Sequence, residues 1–245
     1  MKLRLLTLLV FSLSTLSFGC SSNDTEVTTP VQTIQPPTNL TGKTISYLAL
    51  GDSYTIGQSV CEACRFPEQL KSNLSNSFIG TNFPLQIIAK TGWTTTNLLQ
   101  AIQAENLENN FDLVTLLIGV NNQYQGQDFA IYQEEFPKLV SRSIALAKGV
   151  KSHVVVISIP DYAYTKQGEI SQNQSKISKE IDQYNTFAKQ YCEANKIAFV
   201  NITDITRNGL NEPNLVATDG LHPSQQAYSL FIDRMYPEII KALQN

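Results

Sequence analysis

The chain has 245 residues, a formal net charge of −3 and a low charged fraction of 16%, with no basic block and no interleaving of aromatic and basic residues. That pattern excludes nucleic acid as a partner and argues against recruitment to anionic membranes by charge. The length suits one α/β domain with short additions and is ample for a packed core.

Residues 1–20 read as a targeting segment outside the fold. Lys2 and Arg4 precede an apolar run, Leu5 to Leu16, which is too short to span a bilayer as a mature helix. Ser17-Phe18-Gly19-Cys20 follows. A small residue before a cysteine at this place resembles a bacterial lipoprotein cleavage site, although the leucine (Leu16) stands four residues before the cysteine and not three. The expectation is an exported envelope protein lipidated at Cys20 and held at the membrane by acyl chains alone. Ordinary secretory cleavage is the alternative. Residues 21–41 are rich in Thr, Pro, Gln and Asn, and Pro30, Pro36 and Pro37 break any helix. They read as a flexible tether, which leaves 42–245 for the folded domain.

Within that domain, strand-like and helical patterns alternate. Ile45–Leu50 is an apolar run that ends in Gly-Asp-Ser, and Phe66–Asn76 follows with helical spacing. Leu85–Ala89 and Leu113–Ile118 read as the next two strands, with a helix at Thr95–Glu105 between them. Helix Phe129–Ala147, strand His153–Ile159, helix Lys176–Ala194, strand Ala198–Ile202 and a last amphipathic helix, Ser224–Ala242, complete the series. Several strands are continuously apolar, as in a parallel sheet covered on both faces. The expected fold is an α/β three-layer sandwich around a parallel five-stranded sheet. Right-handed crossovers then bring every strand's C-terminal end to one edge.

The chemistry-bearing residues fall at those ends. Ser53, in Leu50-Gly51-Asp52-Ser53-Tyr54-Thr55-Ile56-Gly57, follows the first strand. A serine hydroxyl needs a base to become a nucleophile. The chain has only two histidines. His153 opens a strand and reads as structural, which leaves His222, in Asp219-Gly220-Leu221-His222-Pro223. An aspartate three residues before a histidine in a turn can fold back onto the imidazole and orient it. Pro223 restricts His222 to extended backbone, and Ser224 reads as the cap of the last helix. Donors for a developing oxyanion are available in the N–H of Ser53, the N–H of Gly92 and the side-chain amide of Asn121. Asp52 is expected to hydrogen-bond the loop backbone. Trp93 and Tyr124 flank the oxyanion candidates, and Asp161 with Tyr162 follows the fourth strand. Trp93, Tyr124 and Asp161 are candidates for the substrate pocket, with core packing or a turn role as the plainer readings. Cys61 and Cys64 form a C-x-x-C, too few ligands for zinc, and in an exported chain they read as a local disulfide in preference to a redox pair. Cys192 reads as a buried free thiol. No metal or cofactor is expected.

Ser53, Gly92, Asn121 and His222 occur in the order and context of the four blocks of the SGNH hydrolases, the GDSL esterase/lipase family, and the chain resembles that family from about residue 45 to about residue 242. The resemblance implies a flavodoxin-like sandwich and ester hydrolysis through a serine acyl-enzyme. It makes Ser53 the nucleophile, His222 the base, Asp219 its partner, and Ser53, Gly92 and Asn121 the oxyanion hole. Two positions depart from the family pattern: Tyr54 replaces the leucine of the family name, and Asn122 stands where aspartate is usual. Tyr54 is expected to pack behind the loop, and Asn122 to change how Asn121 is held. The short chain, without a large lid insertion, favours a small acyl group such as acetyl. An acylated glycan or a lipid-derived ester is the expected substrate. Lysophospholipase or thioesterase activity, a silent ligand-binding lipoprotein and a flavin carrier are the alternatives, the last leaving Asp219 and His222 without a role.

Overall fold

The computed structural model describes residues 40–244. The targeting segment 1–20 with Cys20, and residues 21–39 of the expected tether, lie outside the described residues. The tether reading stops short of residue 41, because Leu40 is buried and its carbonyl accepts from Thr81 Oγ1 at 2.7 Å.

In chain order the elements are β1 (Tyr47–Gly51), α1 (Ser53–Ile56), α2 (Phe66–Ser77), β2 (Leu85–Ala89), α3 (Thr95–Ala104), β3 (Leu113–Leu117), α4 (Val120–Tyr124), α5 (Phe129–Leu146), β4 (Val154–Ile157), α6 (Lys166–Ile170), α7 (Gln174–Asn195), β5 (Ala198–Val200), α8 (Thr203–Thr206) and α9 (Gln225–Gln244). The strands form one sheet in the order β2-β1-β3-β4-β5, and every pairing is parallel. Each of the five expected strands is present; β2 has the expected ends, and the ends of the others differ by at most two residues. β4 and β5 stop early because polar side chains take over their last backbone groups. Ser158 Oγ accepts from the N–H of Ile202 at 2.8 Å, and Asn185 bonds both the N–H and the carbonyl of Ile159.

The connections set the layers. β1 leads through α2 to β2 on one side, whereas β2, β3 and β4 lead through α3, α5 and α7 toward the other end of the sheet. A fixed crossover hand puts these two sets of helices on opposite faces. Accordingly α2 packs with α9 on one face, and α5 packs with α3 and α7 on the other. Aromatic rings fill the seam between α5 and α7. Tyr132 lies 4.6 Å from Tyr184, and Phe136 lies 6.2 Å from Phe187, centroid to centroid. The strands run parallel, but the crossovers leave β1 and β3 in opposite directions, so the loops at their C-terminal ends part into a crevice at the point where such sheets bind ligands.

The central strands β1 and β3 are buried along their whole length. They bury one polar pair, Tyr47 Oη and Thr115 Oγ1, 2.9 Å apart, and burial pushes the Tyr47 phenol well up. Each hydroxyl satisfies the other. Tyr47→Phe is therefore expected to cost about 1–3 kcal/mol by stranding Thr115, while Tyr47→Phe combined with Thr115→Val recovers most of that loss. Denaturant unfolding of the two single variants and the double variant measures this coupling, and additive losses would contradict it.

Candidate active site

The first strand ends at Gly51 for a steric reason. A Cβ there would stand 2.1 Å from Thr55 Oγ1 and 2.4 Å from the carbonyl of Leu117. Only glycine lets the next turn fold back against β3. Asp52 then caps α1, with Oδ1 accepting from the Tyr54 N–H at 3.0 Å, as expected for a loop-bonding residue. Its other carboxylate oxygen is buried without a partner, and desolvation pushes the carboxyl up to about 7 against the pull of its backbone hydrogen bonds. Ser53 is the first residue of α1. An N–H at that position has no acceptor within its own helix, so it stays available to an incoming oxygen.

At the other end of the chain, Asp219 accepts four hydrogen bonds. Oδ1 takes the N–H groups of Leu221 at 2.9 Å and His222 at 3.0 Å. Oδ2 takes His222 Nδ1 at 2.7 Å and Ser59 Oγ at 2.6 Å. Partial burial works to raise this carboxyl, but the hydrogen bonds outweigh it and hold the group down at about 2. An ionised carboxylate can only accept, so the Nδ1 it faces carries the proton and Nε2 keeps a lone pair. The turn is braced. The Ala217 N–H donates to the His222 carbonyl at 2.7 Å, and Ser224 Oγ caps α9 by accepting from the Ala227 N–H at 3.2 Å. Tyr54 is buried, as expected, and it also packs against the imidazole, ring centroids 5.3 Å apart, so it supports the histidine itself.

Ser53, Gly92, Asn121 and His222 all line one cavity of about 190 Å³, together with Tyr124 and Tyr162. Gly92 has φ +84° with open space where a Cβ would stand, so its backbone conformation is what selects glycine. The Asn121 amide donates one hydrogen to the Trp93 carbonyl at 3.0 Å, and its second hydrogen is left for the cavity. Asn122 is fully buried, accepts from the Thr95 N–H at 3.0 Å, and donates to Thr95 Oγ1 at 2.7 Å and Gln127 Oε1 at 3.0 Å. A carboxylate could not make those two donations. Asn122 thus ties α4, and Asn121 with it, to the start of α3.

The other expected residues divide between the cavity wall and structural roles. Asp161 has no exposed surface and holds the turn role. Arg207 Nε donates to its Oδ2 at 2.9 Å, and its Oδ1 caps the turn 162–164. The Trp93 ring packs against the core, and that residue serves the site through its carbonyl. Tyr124 is 63% exposed and lines the cavity. His153 lies in the turn 151–153, at the opposite edge of the sheet from Ser53. Cys61 and Cys64 are joined by a disulfide. Cys192 is buried, and desolvation pushes its thiol up to about 12, which makes it inert. Among the described residues no group of three or more His, Cys, Asp or Glu could hold a metal ion. Ser59 was not foreseen. It holds φ +66°, unusual for a residue with a side chain, and meets Asp219 across 160 positions. No local pattern signals such a contact.

A model of the GDSL-like lipase/acylhydrolase family matches residues 49–230. The chain belongs to this family. It is an ester hydrolase. Among solved structures it resembles an acetylxylan esterase from Geobacillus stearothermophilus (18% identity, 82% of this chain and 96% of that one, TM-score 0.62). It also resembles the psychrotrophic esterase EstA from Pseudoalteromonas sp. (20% identity, 82% and 99%, TM-score 0.60) and a lipase/acylhydrolase from Enterococcus faecalis (20% identity, 80% and 95%, TM-score 0.60). No curated protein sequence matches the chain significantly. At these identities the likeness is one of fold, the α/β/α sandwich of GDSL/SGNH hydrolases.

The two carboxyls impose opposite pH dependences. Asp219, held near 2 against about 3.9 in an unfolded chain, stabilises the fold above pH ~4, and that contribution is lost as pH falls toward 2. Asp52, raised to about 7, favours the fold when protonated, so stability declines as pH rises from ~4 through 7. In thermal unfolding between pH 2 and 8, Ser59→Ala is expected to shrink the acid-side loss. Asp52→Asn, which keeps the cap oxygen, is expected to flatten the decline above pH 4. A wild-type profile in either variant contradicts the corresponding assignment.

Proposed function

We propose that this GDSL-family hydrolase cleaves short-chain carboxylic esters, of the acetyl kind, through an acyl-enzyme on Ser53. His222 Nε2 takes the Ser53 proton as Oγ attacks the ester carbonyl, and the imidazolium that forms is stabilised by Asp219. The carbonyl oxygen becomes an oxyanion, received by the N–H groups of Ser53 and Gly92 and the free hydrogen of the Asn121 amide. His222 then protonates the departing alcohol oxygen. Water, deprotonated by the same histidine, attacks the acyl-enzyme and releases the acid, restoring the Ser53 hydroxyl. The observation that carries this reading is the 2.7 Å Nδ1–Oδ2 contact on a histidine that shares one cavity with Ser53, Gly92 and Asn121.

The small acyl group is supported by size. The cavity of about 190 Å³ falls below the ~300–1,000 Å³ typical of sites for larger ligands. The acetylxylan esterase structure, alike in fold, is in keeping with that choice. From residues 1–20 alone we also propose export and lipidation at Cys20, which mass spectrometry of the membrane-extracted protein would detect.

Hydrolysis of p-nitrophenyl acetate, butyrate and octanoate by wild type, Ser53→Ala and Asn121→Ala tests the mechanism. Ser53→Ala is expected to abolish turnover in a folded protein, with acetate favoured by wild type. Asn121→Ala is expected to lower kcat by ~10²–10³ with a small effect on KM, because the oxyanion exists only along the reaction path. Residual turnover in Ser53→Ala, or a loss in Asn121→Ala confined to KM, would refute these roles.

A further inference from the structure

Beside the reaction cavity lies a larger cleft of about 470 Å³, and Tyr124 and Tyr162 belong to the walls of both. We propose that this cleft is the leaving-group subsite and that it takes a neutral sugar, so that the natural substrate is an O-acylated saccharide. The proposal rests on the Ser53 reading above and extends it to the alcohol half of the ester.

The cleft is built by the same helical turn that carries Asn121. The next residue, Asn122, is buried and holds Gln127 by its Oε1, which leaves the Gln127 amide hydrogens for the cleft. The residue after that, Gln123, donates to Glu180 Oε2 at 2.8 Å, and Lys176 Nζ stands 3.8 Å from Glu180 Oε1. Glu180 is therefore aimed from two sides. The fourth residue is Tyr124, whose exposed ring meets the edge of Tyr162 at a centroid distance of 5.5 Å and an interplanar angle of 71°. One short helix thus sets the oxyanion donor, two oriented hydrogen-bonding groups and an aromatic wall.

The ligand class follows from what these groups can and cannot satisfy. A pyranose offers an apolar C–H face and a rim of hydroxyls that both donate and accept. The Tyr124 ring suits the face, while Gln127, Glu180 and Gln183 suit the rim. A fatty acyl chain would desolvate those polar groups without replacing their hydrogen bonds, which is costly. The charges of Lys176 and Glu180 offset each other, so a phosphate-bearing headgroup meets no net positive field. Volume points the same way: the small compartment holds the nucleophile, and the larger, polar one holds the other half of the ester.

The test compares acetyl esters that differ only in the alcohol: p-nitrophenyl acetate, an acetylated xylo-, gluco- and manno-oligosaccharide panel, and 1-O-hexadecyl-2-acetyl-glycerophosphocholine, whose only carboxylic ester is the acetyl, as the lipid-derived case. Wild type, Tyr124→Ala, Glu180→Ala and Gln183→Ala are assayed on each. Wild type is expected to favour at least one saccharide by tenfold or more in kcat/KM. In each variant the ratio of that saccharide's kcat/KM to that of p-nitrophenyl acetate is expected to fall at least tenfold, mainly through KM. Turnover of p-nitrophenyl acetate with no preference for any saccharide, a preference for the lipid ester, or an unchanged ratio in the variants would overturn the subsite while leaving ester hydrolysis at Ser53 standing. Failure of wild type on every acetyl ester would overturn both.

Discussion

Parallel strands can be joined only by crossovers, and crossovers have one hand. From that constraint the rest of this molecule follows. β1 sends its chain one way to β2, and β3 sends its chain the other way to β4. Between them the loops must part, and nothing in the sheet fills the gap. Ser53 leaves β1 into that gap, Asn121 leaves β3 into it, and Gly92 approaches from β2. His222 comes from beyond β5, on a turn that α9 pins at the far end. The site is thus assembled from four connections that share an edge and little else.

Two carboxyls at this edge are handled in opposite ways, and the difference shows how the fold separates roles. Asp219 sits on a partly exposed turn and is saturated with donors, so it stays charged and orients His222. Asp52 adjoins Ser53 but is shut away from water with one oxygen unpartnered, so its charged form is disfavoured. It serves as a helix cap. A residue type alone would not distinguish them. The number of donors and the loss of solvent do.

The short helix α4 shows how closely chemistry and specificity are tied. Val120, Asn121 and Tyr124 line the cavity, while Asn122 and Gln123 use their amides to position their neighbours. The departure from the family's usual aspartate at Asn122 belongs to this arrangement, because an amide can donate to Thr95 and Gln127 where a carboxylate cannot. Ser59 plays a similar part for Asp219, delivered by a loop that also carries the Cys61–Cys64 disulfide.

Much of this was legible in the sequence. Strand and helix identities follow from local hydrophobic periodicity, which is written residue by residue, so all five strands and the five long helices could be read with ends off by at most a few positions. The shared cavity of Ser53, Gly92, Asn121 and His222 could be read because each follows a strand, and a parallel sheet gathers such positions on one edge. Contacts set by the three-dimensional path of the chain were not legible. The Ser59–Asp219 bond spans 160 positions, the Arg207–Asp161 pair spans 46, and the tilted Tyr54–His222 ring contact joins α1 to the turn before α9. The sequence alone determined which elements form and which groups can do chemistry, since both are local properties. Only the tertiary structure decided which polar groups are already occupied and which remain free to act, because hydrogen-bond partners and solvent exposure exist only once the chain has folded.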